Sequence, residues 1–473
     1  MSGPRAARLL SPAMMGVAAG AVLVPLNSTM LAVALPSIMD EFGVDAVTVS
    51  SLVTLYLGAV TIALLASGSL GDRYGQRPVF LIGVSAFALS SLLAVGAPSF
   101  EVLELSRVLQ AISGALVSTT SVALVRAMSP ADRRGTAFGL FDMLVSTSAA
   151  IGPFIGGVLV GLFGWQSLFV LAVPVAIFAA VIVALVVPAG TGRHVDTPGV
   201  RPPGIDIPGL VLLAATLIAL LVAIRGIGSG DAGGSAVVAA VAVVPLIVVF
   251  VWFELRADRP AVDPRLFASR SFTAAVLGVL GATVILHATF ILVPLLVERL
   301  LNGSAETAGL VLLGISGLGA VAAPFGGRLS DRRGRRLPVA AGSVCLTIGL
   351  FALWLVAAET TPLVVGLLLG VVGFGMGFSG SPRQAAALEA VPGDRVGMAA
   401  GTYYTGRYLG GVLGASLAGA VLGTAVTAAG VTLGFGLLVL VGVGLVVVAF
   451  GLPGRIPVRL PDAVVTATPE ATG

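Results

Sequence analysis

Apolar residues in this chain come in long runs, each broken by a short stretch rich in polar residues, glycine or proline. A helix needs about 20 predominantly apolar residues to cross the hydrocarbon of a bilayer, and there it must satisfy its own backbone hydrogen bonds. Fourteen such runs can be placed. They fall at Ala13 to Met39, Val49 to Ala66, Val79 to Ala97, Phe100 to Val125, Thr136 to Gly161, Leu168 to Val187, Ile207 to Ile227, Ala236 to Phe253, Phe272 to Val297, Thr307 to Phe325, Pro338 to Ala358, Leu363 to Ser381, Met398 to Val426 and Val431 to Gly451. The pattern predicts an all-α integral membrane protein with 14 transmembrane helices and no connection long enough for a soluble domain. The longest connections are a Pro/Gly-rich linker around Pro188 to Gly204 and a polar tail from Pro453. The first run is too long for the apolar part of a signal peptide and contains Asn27, so it reads as a retained span.

Composition points the same way. Of 473 residues, 57% are hydrophobic and only 10% charged, whereas soluble domains carry about 25% charged residues. The net charge of +4 could suggest a nucleic-acid partner, but the basic residues sit in short clusters between apolar runs, where the bilayer accounts for them. No nucleic-acid partner is expected. All 26 basic residues are arginine, which a GC-rich genome explains without a functional reason. Cys345 stands alone, which excludes an intrachain disulfide, a cysteine metal cluster and thiol redox chemistry.

The arginines also fix an orientation, because basic loops stay in the cytoplasm. Those at 5 and 8, 73 and 77, 126 to 134, 193 and 201, 256 to 270, 328 to 336, 383 and 395, and 455 and 459 all fall on one side, and only Arg225 and Arg299 fall on the other. The opposite loops carry Asp40, Glu41, Asp45, Glu101, Glu104, Asp231, Glu306 and Glu359. Both termini are expected in the cytoplasm, as an even span count requires.

The chain repeats itself. After the second run stands Gly68-Ser-Leu-Gly-Asp72-Arg73-Tyr-Gly75-Gln-Arg77, and after the tenth Gly327-Arg-Leu-Ser-Asp331-Arg332-Arg-Gly334-Arg-Arg336, with identical spacing. Two copies of one turn, each after the second helix of a six-helix block, predict parallel repeats. The expected organisation is a six-helix bundle over residues 1–188, a linker with two inserted helices over 189–271, a second six-helix bundle over 272–452 and a cytoplasmic tail over 453–473. In each turn glycine permits a tight reversal and the arginines anchor it beside the membrane.

These turns resemble the signature of the major facilitator superfamily, in particular its fourteen-span drug:proton antiporters, in which the turn is thought to latch the two bundles together. In the fifth run, Ser148-Ala-Ala-Ile-Gly152-Pro153-Phe-Ile-Gly156-Gly157 is similar to the antiporter motif, with Ser148 in place of its first glycine. Pro153 frees a carbonyl, and the small residues let another helix approach closely. Arg107-Val-Leu-Gln110 resembles the family's fourth-span motif, with Ala111 where that motif has glycine. Leu26-Asn27-Ser-Thr29-Met-Leu-Ala32-Val-Ala34-Leu35-Pro36 resembles its first-span motif, but with Asn27 in place of the acid and Ala32 in place of the asparagine. The resemblance implies efflux by alternating access driven by protons, and it associates the position of Arg107 with proton transfer.

Four ionisable residues fall deep within runs: Arg107, Asp142, His287 and Arg407. A mid-span arginine costs about 2.5–3.5 kcal/mol on insertion scales, so Arg107 and Arg407 should face the interior, either lining a central cavity or tying helices together. Asp142 lies three helical turns before Pro153, on the same face. It is the leading coupling carboxyl, unless it reaches water and balances Arg133 or Arg134. His287 is either a titrating or substrate-bonding group or a neutral histidine bonded to a carbonyl, and with His194 in a loop no metal site is expected. Tyr403, Tyr404, Phe374, Phe378 and Trp354 could offer aromatic surface.

The reading is a bacterial inner-membrane secondary transporter, not an enzyme, expected to work as a monomer in the bilayer. It would export small hydrophobic or amphiphilic drugs or antibiotics, neutral or anionic in preference. The proton would be the coupling ion, with no other cofactor. Alternatives are an importer or uncoupled facilitator of a small metabolite, a lipid-moving scaffold, or a membrane sensor that does not transport. A lipid-linked glycosyltransferase should show paired carboxylates in a sizeable polar loop, and none is present.

Overall fold

The computed structural model describes residues 11–129, 134–189, 191, 207–228, 234–257, 260, 262–356, 359–391, 396–423 and 426–454. It is built of helices. The first element is broken: α1 (Pro12–Met30) runs through a 3-10 turn at Leu31–Ala34 into α2 (Leu35–Phe42). The first half continues with α3 (Ala46–Tyr74), α4 (Gln76–Val95), α5 (Phe100–Met128), α6 (Arg134–Phe163) and α7 (Ser167–Val186). Then come α8 (Ile207–Gly228) and α9 (Gly234–Glu254). The second half holds α10 (Arg270–Leu295), extended by a π turn at Leu296–Leu300, and α11 (Ala305–Arg333), α12 (Arg336–Val356), α13 (Pro362–Glu389), α14 (Val396–Leu422) and α15 (Ala428–Ala449).

Among the described residues, 12 helical segments are long and apolar enough to cross a membrane, counting α1 with α2 as one. α8 is apolar over the shorter stretch Pro208–Ile224. α14 is outside that set, as its sequence Tyr403-Tyr-Thr-Gly-Arg407-Tyr interrupts the apolar run.

Several helices end by local rules. Asp45 and Ser304 cap α3 and α11 by accepting from the backbone N–H groups of Thr48 and Thr307, three residues on. α3 and α11 both run well past their apolar stretches, to Tyr74 and Arg333. They stop where Gly75 and Gly334 adopt φ of 96° and 85°, a region open to glycine.

Helix pairing is doubled. In the first half α1 packs on α6 and α7, α3 on α5, and α4 on α5 and α7. In the second, α10 packs on α14 and α15, α11 on α13, and α12 on α13 and α15. Between halves, α6 meets α11 and α14 meets α3, a matched pair of contacts. α8 lies against α3 and α14, and α9 packs chiefly on α8.

The buried apolar residues form three clusters, and their placement says where the halves touch. One cluster draws on both halves and fills the end of the molecule near Phe42 and Leu296, from Met30 to Ile38, Ala46 to Val60, Ala282 to Val297 and Val412 to Leu422. At the arginine-rich end each half has its own core. The first is built around Phe80, Phe87 and Leu124, the second around Phe272, Val339 and Tyr403. The halves are thus joined at the acidic end and separate at the arginine-rich end.

Candidate functional site

Arg107, in α5, is 1% exposed. Its Nη1 donates to Asn27 Oδ1 on α1 and to Gln110 Oε1, each at 2.6 Å, and Gln110 donates to Ser91 Oγ at 2.8 Å. The guanidinium lies 4.2 Å from the centre of the Tyr56 ring on α3, a cation–π stack. Of the two positions the sequence left open for it, lining a cavity or tying helices, the contacts match the second: through Asn27, Gln110, Ser91 and Tyr56 the side chain links four helices of the first half. Its Nε has no partner among the described residues. Asn27 occupies the place where a carboxylate would complete the pair.

Tyr56 carries this cluster toward the second half, for its buried ring lies within electrostatic reach of Tyr408 on α14. His287, on α10, bonds through Nδ1 to the Thr283 carbonyl at 3.0 Å and rests edge-on to Phe290. A methyl on Gly411 would meet its ring at 3.1 Å and Leu57 of α3 at 2.9 Å, so His287 sits where α3, α10 and α14 converge. Arg407 is exposed and acts electrostatically on His287, Tyr403 and Tyr408. It lies one helical turn from Gly411 toward the arginine-rich end, on the face that α14 turns to α3. There the halves have parted, so Arg407 and the exposed Tyr404, bonded to Gln384 at 3.2 Å, face the gap. Asp142 belongs to α6, and its side chain lies outside the described residues.

The Gly-Pro motif forms a seam. A methyl on Gly156 would lie 2.9 Å from the Met30 carbonyl oxygen, and Gly152 packs on Thr29, both on α1. On the other side, a methyl on Gly157 would lie 2.5 Å from the Ala305 carbonyl oxygen, and one on Gly309 2.5 Å from the Pro153 carbonyl oxygen. The motif therefore lets α6 and α11 touch backbone to backbone across the halves. Beside it Arg299 pairs with Asp40 and donates to the Pro36 carbonyl at 3.2 Å, a second bond between halves.

At the other end the repeated turns face their own halves. Arg77 Nη2 donates to the Ala184 carbonyl of α7 at 2.7 Å, and Arg336 Nε donates to the Leu452 carbonyl beyond α15 at 2.8 Å, the same bond in each repeat. Asp331 accepts from Arg335 at 3.0 Å, and Arg335 reaches Glu389 at 2.6 Å. Glu389, hydrogen-bonded to it, pushes the Arg335 pKa above the ordinary arginine value. Arg73 and Arg332 are exposed, and the Asp72 side chain and Gly68 surroundings lie outside the described residues. The bonds described for these turns run within each half.

Two residues of this site escaped the sequence reading. Tyr56 gave no signal, as aromatics in spans usually only pack. Arg383 was counted with the arginines at helix ends, yet α13 runs past it to Glu389 and leaves it 3% exposed. It donates to Ser379 Oγ at 2.9 Å, and its Nε has no partner among the described residues. Trp354 packs toward Gly436 between α12 and α15, away from the gap. Phe374 and Phe378 stack on each other along α13 at 5.6 Å.

The Major Facilitator Superfamily model matches residues 17–415 and 282–467. The uncharacterized MFS-type transporter YwoD of Bacillus subtilis is 31% identical over 87% of this chain and 90% of its own. Multidrug resistance protein Stp of Mycobacterium tuberculosis is 30% identical over 85% and 74%, and the tetracenomycin C resistance and export protein of Streptomyces glaucescens 29% over 88% and 76%. Among solved structures, the fold is shared with a bacterial homologue of the human lysosomal transporter Spinster, in its inward-facing and unoccupied conformation (TM-score 0.69, 15% identity, 95% and 97% of the two chains). It is shared too with the peptide transporter POT in complex with sulfate (TM-score 0.68, 16% identity, 93% and 96%). Doubled helix pairing, repeated turns and likeness along nearly the whole length lead to one conclusion: this chain is a membrane transporter belonging to the Major Facilitator Superfamily.

Proposed function

We propose that the protein exports small hydrophobic or amphiphilic compounds, drugs or antibiotics among them, in exchange for protons across a bacterial plasma membrane. In this reading all 14 helices cross, α8 and α9 as an inserted pair, and the arginine-rich end with both termini faces the cytoplasm. The single observation that carries it is the seam of α6 on α11 at the acidic end, together with the separate cores at the other. A transporter closed outside and open inside has this arrangement, and alternating access is the opening of one end as the other shuts. The names of the relatives that confer resistance favour efflux.

Energetically, a proton entering down about 100 mV supplies roughly 2.3 kcal/mol from charge alone. The exposed Arg407, on the face that α14 turns to the gap, favours neutral or anionic cargo. A second reading, an uncoupled facilitator, is favoured by one observation: the buried guanidinium of Arg107 is held by Asn27 and Gln110, which do not titrate. A relative in Clostridioides difficile, 27% identical over 86% of this chain, bears the name riboflavin transporter RibZ.

The test uses everted vesicles with and without the protein, energised by respiration, with a pH-sensitive dye and a panel of anionic, neutral and cationic drugs. Export by antiport makes a compound collapse the gradient only when the protein is present. Compound flux that continues unchanged after a protonophore removes the gradient establishes the facilitator instead.

A further inference from the structure

Where the halves part, α13 and α14 bring hydrogen-bond donors to the gap. Arg407 is exposed, and its guanidinium makes no hydrogen bond or ion pair among the described residues. Tyr404, 39% exposed, accepts at its hydroxyl oxygen from Gln384 Nε2 at 3.2 Å, so its own hydrogen is left to donate. Tyr403 stands edge-on to Tyr404, the ring centres 6.0 Å apart at 84°, and holds it upright against α13. There is room beside these donors. A methyl on Gly401, one turn before Tyr404, or on Gly380, one turn before Gln384, would meet no atom within 4 Å.

The charge here is all of one sign. Arg383 lies on the buried side of Tyr403, 3% exposed, with Nη2 bonded to Ser379 Oγ at 2.9 Å and Nε against α10, where a methyl on Gly278 would lie 3.0 Å away. Arg383 and Arg407 both act electrostatically on Tyr403, so two guanidiniums share one neighbourhood. Among the described residues of α10, α13 and α14 the one acid is Glu389, which is bonded to Arg335. Burying a cation without a counter-charge costs free energy, and the group missing from this corner is an anion. On the first half, the Asp142 side chain of α6 lies outside the described residues.

We propose that this corner of the gap binds an amphiphilic carboxylate. The Arg407 guanidinium takes its two oxygens in parallel bonds, the Tyr404 hydroxyl donates a third, and the apolar body lies over the bare backbone at Gly401 and Gly380. Arg383 touches no cargo and supplies positive potential from behind Tyr403. This rests on the export reading, in which cargo enters from the parted end, and narrows that cargo to compounds with a carboxylate at one end of an apolar body.

Equilibrium dialysis of the whole protein in lipid nanodiscs, with empty nanodiscs as the blank and no gradient, compares three probes that share one ring system: 2-naphthoate, 2-naphthol and 2-naphthylmethylammonium, an anion, a neutral compound and a cation at neutral pH. The expected order has naphthoate tightest and the cation weakest. Arg407→Gln is expected to weaken naphthoate about tenfold or more while changing naphthol less than about twofold. Gly401→Leu is expected to weaken both alike, by filling the room beside Tyr404. Because Arg407 is exposed, the Gln variant is expected to unfold at the temperature of the parent, which separates lost binding from lost fold. Asp142→Asn is expected to bind naphthoate at least as tightly as the parent, since removing a negative charge does not weaken a site for anions. A parent that binds the cation as well as naphthoate, an Arg407→Gln protein that keeps naphthoate or loses naphthol equally, or an Asp142→Asn protein that loses naphthoate overturns the proposal. Vesicle antiport is read separately: selective naphthoate binding without drug-driven proton flux leaves this site standing and removes proton-driven export, and antiport by a protein that binds the three probes alike does the reverse.

Discussion

Arg107 is a cation held without an anion. Hydrogen bonds to a charged group contribute about 1.5–3 kcal/mol, and two amides supply them where a carboxylate would also neutralise the charge. Asn27→Asp is therefore expected to stabilise the protein by about 1 kcal/mol or more, read as a higher melting temperature in detergent. An unchanged or lower value would mean that the site is built for neutral partners. Sequence reasoning found this arginine because lipid tolerates none, and found Asn27 because a motif failed there. It missed Tyr56 and Arg383 for opposite reasons: a tyrosine in a span carries no cost that flags it, and an arginine near a span end looks like an anchor until the helix is seen to continue.

At the scale of elements, the repeats make matched predictions. Arg77→Ala and Arg336→Ala each remove one charged donor from a carbonyl at the end of the sixth helix of its half. Each is expected to cost about 1 kcal/mol, with the two losses adding in the double variant, because the sites share no partner. Thermal unfolding of the three variants checks this. The Gly-Pro seam is more demanding. In Gly157→Leu or Gly309→Leu the new side chain has no room beside the opposing carbonyl, so the acidic end is expected to stay open and transport to fall at least about tenfold. Labelling of that end by a membrane-impermeant reagent is the check, and wild-type protection with wild-type transport would show that the seam is not a moving part. The spans were legible because lipid imposes one length and one polarity on every helix. The continuation of α3 and α11 past them was not, since it is set by where a positive-φ glycine stops the helix.

For the whole molecule, the sequence pointed to parallel repeats, which the doubled helix pairing matches, but not to which end would be closed, because both states use the same helices and differ only in which faces touch. The Arg299–Asp40 bridge joins the halves at the end where they meet. Exposed ion pairs contribute about 0.2–1 kcal/mol, so Asp40→Ala is expected to shift the balance toward opening only a few-fold. The exchange Asp40→Arg with Arg299→Asp is expected to restore it, as read by the separation of spin labels placed on the two halves at that end. A loss that the exchange does not repair would assign the effect to the Pro36 carbonyl bond.

The distribution of apolar cores has a thermal consequence. The cluster that joins the halves is hydrophobic, so opening the acidic end brings apolar surface into contact with water and carries a positive heat-capacity change. The equilibrium between the two states is then curved in temperature, and because hydrophobic closure weakens on cooling, this transporter would lean open at its acidic end in the cold.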